Sequence, residues 1–171
     1  MLARTTILLI TLFLVTVTAP AQTRRRSSTP PKQTAAQKAA EVQRQGAVRV
    51  ADQIKTLTRF IYLLGGVAKG IEATDDAIRR NQASPAVVEQ VNRNKATVKT
   101  SLQNVRVGLD NLEIYFRTTP ELQRYYIQLA GVAAGAANAE DLAAASQYDR
   151  AGRALLEVVN RLTDVLVAMR G

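Results

Sequence analysis

From Ala47 to Ile78 the chain sets Ala47, Val50, Ile54, Leu57, Ile61, Leu64, Ala68, Ile71, Asp75 and Ile78 at intervals that alternate three and four. A strand repeats every two residues, so this row makes sense only on a helix with one continuous apolar seam. A single member, Asp75, is charged. A seam of that length needs a partner, and the next segment supplies one.

Ser84-Pro85 restarts the chain, with Ser as N-cap and Pro at the first helical position, where its missing amide is harmless. The second row then reads Val88, Val91, Lys95, Val98, Leu102, Val105, Leu109, Leu112 and Phe116, again spaced three and four. Folded back about Ala83, the two rows face each other layer by layer. Ile78 meets Val88, Asp75 meets Val91, Ile71 meets Lys95 and Ala68 meets Val98. Below them come Leu64 with Leu102, Ile61 with Val105, Leu57 with Leu109, Ile54 with Leu112 and Val50 with Phe116. The charged members Asp75 and Lys95 fall in adjacent layers, where pairing would set register more than add stability. An antiparallel hairpin follows.

Helix one is expected to start at Thr34, where Thr34 and Gln37 have capping-box spacing, and to run to about Asn81. Gly46, Gly65, Gly66 and Gly70 lie inside it, each costing about 1 kcal/mol relative to Ala. Gly65-Gly66 marks a place for a kink. Gly66 and Gly70 share a face that can admit a close neighbour. Thr118 and Glu121 around Pro120 repeat the cap-then-Pro pattern. Folding about Thr119 then brings Leu122, Tyr126, Leu129, Ala133 and Ala136 of helix three onto Phe116, Leu112, Leu109, Val105 and Leu102. Asn138, followed by Glu140 and Asp141, is read as the start of helix four, whose seam is Ala144, Tyr148, Ala151, Leu155, Val158, Leu162, Val165 and Met169. The fold expected is all-α: an antiparallel up-down-up-down four-helix bundle, coiled-coil-like in its seams, with a long hairpin of helices one and two.

Ahead of the bundle domain (34–171), two further segments are expected. Residues 1–21 read as a signal peptide: Arg4, an apolar run from Ile7 to Val17, and small residues at Ala19 and Ala21. The run is short for a membrane span, so a membrane enters only through an uncleaved signal segment. Residues 22–33 (QTRRRSSTPPKQ) read as a disordered basic linker. The location implied is export, to a periplasm or beyond the cell.

Composition narrows the chemistry. Cys and His are both absent, which removes disulfides, thiolate nucleophiles, imidazole bases and Cys/His sites for zinc or haem. No metal or other cofactor is expected. Charge is +9, from 23 basic and 14 acidic residues. Without Arg4 and the linker's Arg24, Arg25, Arg26 and Lys32, 18 basic residues face the same 14 acidic ones. The bundle itself is therefore only mildly basic, and nucleic acid is a disfavoured partner.

Three candidate sites remain. Helices one and two should outrun the rest, since the turn between helices three and four falls level with Gly65-Gly66. The exposed tip then presents Ile71, Asp75, Ile78, Val87, Val88, Val91 and Lys95 to a protein partner or to a second copy of the chain. Arg59, Tyr62, Tyr115, Arg117, Arg124 and Tyr125 form an aromatic and basic cluster, either a recognition site or the rimmed end of the core. Arg24, Arg25, Arg26 and Lys32 form a tether for an anionic polymer, or a solvated spacer. The leading expectation is a non-enzymatic exported bundle that acts through protein contact or self-association. A small-ligand binder with an Ala/Gly-lined interior, and an envelope protein that binds anionic polymer, are the alternatives.

Overall fold

The computed structural model describes residues 34–170. The signal peptide and the basic linker with Arg24, Arg25, Arg26 and Lys32 lie outside the described residues. Within them the chain is all-helical: α1 (Ala35–Arg79), α2 (Pro85–Thr118), a 3-10 turn (Pro120–Leu122), α3 (Gln123–Leu129), α4 (Val132–Ala144) and α5 (Tyr148–Ala168). Four long helices pack in a ring, with α1 against α2, α2 against α4, α4 against α5 and α5 against α1. The short α3 bridges α2 and α5 at one end.

The two seams read from the sequence form the core. Val50, Leu57, Leu64, Ala68 and Ile71 of α1 are buried, as are Val91, Val98, Leu102, Val105, Leu109, Leu112 and Phe116 of α2. From α5 come Tyr148, Ala151, Leu155, Val158, Leu162 and Val165, with Met169 just beyond. The Thr34 capping box is present: the Gln37 amide donates to Thr34 Oγ1 at 3.2 Å, and the Thr34 amide donates to Gln37 Oε1 at 2.9 Å. Two orphan amides are thereby satisfied. α1 passes through Gly65, Gly66 and Gly70 without a break. Its 45 residues extend about 68 Å at 1.5 Å per residue.

The second half departs from expectation. Helix four does not begin at Asn138, which lies exposed in the middle of α4. Ala, the best helix former, surrounds Asn138 and carries the helix past it. The turn comes later, at Ala145-Ser146-Gln147. There Ser146 takes φ 58°, with its amide donating to the Ala143 carbonyl at 2.9 Å and the Gln147 amide donating to the Leu142 carbonyl at 2.8 Å. This is a Schellman closure. Asn81 ends α1 in the same way, with φ 57° and the Gln82 amide donating to the Ala77 carbonyl at 2.8 Å. Asn is a usual occupant of that left-handed position and Ser is not. Ala144, expected on the seam, is exposed at the end of α4.

Helix three is also divided. Thr118 and Glu121 form no capping box. Thr118 Oγ1 instead donates back to the Ile114 carbonyl at 2.8 Å, and a 3-10 turn follows. Gly131, at φ 93°, then separates α3 from α4, a backbone shape a residue with a Cβ adopts only under strain. The break rotates the buried face of α4 onto Val132, Ala136, Ala139 and Ala143. It also shifts α4 along α2. Glu113 Oε1 accepts the amides of Gly131 (3.1 Å) and Ala133 (2.8 Å), so Ala133 lies level with Glu113 rather than Val105. That is a slip of eight residues, about 12 Å of helix.

Candidate functional site

At the hairpin tip, Lys95 Nζ donates to both carboxylate oxygens of Asp75 at 2.8 Å. The two side chains are 33% and 23% exposed, so the pair sits at the edge of the core rather than in water. The apolar residues around it are better covered than expected. Ile71 and Val91 are buried and Ile78 and Val88 half-buried, leaving Val87 as the exposed one. The turn after α4 lies beside Lys95 and Val98, which line a groove of about 310 Å³ together with Ala143, Ser146 and Tyr148. Removing only Lys95 would strand a half-buried carboxylate, whereas replacing both groups restores an apolar layer. Lys95→Leu alone should therefore lose about 1–2 kcal/mol in urea denaturation, and Asp75→Leu/Lys95→Leu should recover most of it. Additive losses would show that the two charges do not depend on each other.

The aromatic and basic cluster divides in two. Arg49, absent from the expected set, stacks its guanidinium 4.2 Å from the Tyr115 ring centre. Tyr115 in turn meets Phe116 edge-on at 6.0 Å. Arg124 lies 4.6 Å over the Tyr125 ring, donates to its hydroxyl at 2.5 Å and reaches Gln43 Oε1 at 3.2 Å. Tyr125 is buried. These are cations over aromatic faces at the end of the core, each contributing on the order of 0.5–1 kcal/mol. Arg59 and Arg117 are exposed. Tyr62 does not join Tyr115 and Tyr125: it lies 13 positions beyond Arg49, about 20 Å along α1. The omitted partners were legible, because Arg49 falls almost opposite Tyr115 in the register that pairs Val50 with Phe116.

The Ala/Gly-lined interior is closed. Ala136, Ala139 and Ala151 are fully buried, and a Cβ placed on Gly135 would lie 2.6 Å from Val158 Cγ2. Small residues here bring α4 and α5 together at Gly135 and Val158. An outward-facing groove of about 380 Å³ runs beside that contact, with Asn138, Glu157, Asn160, Arg161 and Asp164 along it. Arg161 is already committed to the Ala130 carbonyl at 3.0 Å. Among the described residues no group of three carboxylates converges on a metal position. Glu41, beside Arg44 and Gln45, has its carboxyl pulled from 4.5 down to about 2, which suits a surface ion pair and not a general acid.

An open apolar surface lies on α1, at the position of Tyr62 from the expected aromatic and basic cluster. Tyr62 is 82% exposed, Leu63 53% and Val67 37%. Leu156 of α5, 47% exposed, lines a shallow groove with Gly65 and Gly152 on the opposite flank of α1 from Leu63 and Val67. Among the described residues no helix is long and apolar enough to cross a membrane. Compared with family models, curated proteins and solved structures, the chain finds no match.

Proposed function

We propose that this chain is an exported, non-enzymatic helical bundle that acts by contact with other protein surfaces. The exposed residues Tyr62, Leu63 and Val67 of α1 carry this reading. A bundle with a filled core has no internal reason to hold a tyrosine and a leucine in water on neighbouring positions of one helix, whereas a partner surface gives them one. Export rests on residues 1–21. The bundle runs antiparallel, up-down-up-down. In support, Arg49 meets Tyr115, Gln53 lies beside Gly108 and Asp75 meets Lys95: as numbers rise on α1 they fall on α2. The same inversion relates α2 to α4, where Gln103 donates to Glu140 while Glu113 meets Ala133.

The test is a crosslinked pull-down with the mature chain from its own envelope or medium, run beside a Tyr62→Asp/Leu63→Asp variant. Both side chains are exposed, so the variant should fold. The native chain should enrich one or a few proteins that the variant loses. An identical set captured by both would remove this face from the function. Mass spectrometry of the native chain reads its first residue in the same experiment, and Gln22 is expected.

A further inference from the structure

The outer face of α1 carries a second row spaced three and four, pointing away from the core: Arg59, Tyr62, Gly66, Lys69, Ala73 and Asp76. The first five are exposed, and the Asp76 side chain is 49% exposed. Arg59 stands at one end of it, Asp76 at the other and Lys69 between them, and the bulky Tyr62 is 82% exposed. Gly66 costs the helix about 1 kcal/mol relative to Ala. Nothing in the same molecule lies within 4 Å of where its Cβ would be, so no neighbour in the fold requires the glycine.

We infer that this face pairs with the same face of a second copy, the two α1 helices crossing antiparallel about a two-fold axis level with Val67 and Ala68. The inference rests on the protein-contact reading above and names its occupant. Of the two ways to pair this helix with its own copy, the antiparallel one uses both charged ends, whereas a parallel pair sets like charges together. A two-fold places Arg59 of each chain opposite Asp76 of the other, and does so twice. The same register sets Tyr62 against the small Ala73, so a ring fills the space beside a methyl. It sets Lys69 against Gly66, so the aliphatic stem lies on bare backbone while the ammonium reaches water. Asp76 also pairs with Arg79 of its own helix, which positions the carboxylate on the outer face. Two like-charge juxtapositions arise. The two Lys69 side chains lie about 4.5 Å apart along the axis, with their ammonium groups turned out to water. Lys55 lies near Arg80 at the solvent-exposed ends, where salt screens the pair and Asp52 holds Lys55 at 3.1 Å in its own chain. Leu63, Val67 and Leu156 flank the row and add apolar area at its margins.

The test is sedentimentation equilibrium or multi-angle light scattering of the mature chain across concentration, at low and high salt. Four proteins are compared: the native chain, Arg59→Asp, Asp76→Arg and the exchange Arg59→Asp/Asp76→Arg. The native chain should dimerise, each single reversal should weaken the dimer by about tenfold or more, and the exchange should restore it. Circular dichroism should be the same for all four, since every altered side chain is exposed or half-exposed. A dimer indifferent to the single reversals would overturn this register. A native chain that stays monomeric throughout would overturn self-pairing. A pull-down that still depends on Tyr62 would then leave the protein-contact reading standing with a different partner.

Discussion

Phe116→Ala should cost about 3–5 kcal/mol of unfolding free energy, the largest single-residue effect expected among the described residues. The ring is fully buried where the end of α2, the 3-10 turn and the start of α3 converge. It also supports Tyr115, whose own face takes Arg49. Truncation removes the transfer energy of the ring and leaves a cavity lined by long helices that cannot readily collapse into it. Ile114→Ala, two positions earlier and 40% exposed, is the control and should cost under about 1 kcal/mol. Urea denaturation followed by circular dichroism measures both. Similar costs for the two variants would mean that the end of the core is not packed as described.

Gly135→Ala is the second. A methyl in the middle of an exposed helix normally stabilises it by about 0.5–1 kcal/mol. At Gly135 the sign should reverse, with a loss of about 1–3 kcal/mol. The new Cβ meets Val158 Cγ2 at 2.6 Å, and a β-branched side chain on a helix has essentially one rotamer and cannot swing aside. Gly152→Ala supplies the contrast on the facing helix: nothing lies within 4 Å of its added methyl, so it should gain the usual increment. If both variants were stabilised, α4 and α5 would not be in close contact, and an interior space for a ligand would return to consideration.

How far the sequence could be read depended on contrast along each helix. α1 and α2 carry large aliphatic residues on one face and polar ones on the other, so their seams and the Asp75–Lys95 pair were legible. Between Val132 and Ala145 that contrast disappears. Alanine suits either face and any helical position, so nothing there distinguishes seam from surface, and Asn138 looked like a boundary when it was only a polar residue on a helix. The actual turn rests on Ser146 in a left-handed conformation, for which Ser offers no signal that Gly or Asn would have given. Tyr62 was legible in a different way. Its neighbour Ile61 occupies the inward row, which already places Tyr62 outward. Grouping the aromatics by type hid that, and put Tyr62 with rings about 20 Å away.

Glu113 has a further consequence. A carboxylate on α2 closes the amide end of α4, so the joint at Gly131 is completed by a residue distant in the chain. Local preference alone gives a glycine with several available shapes; the shape it takes is selected when α2 arrives. The angle between α3 and α4 therefore depends on a contact made across the bundle as well as on the residues of the joint.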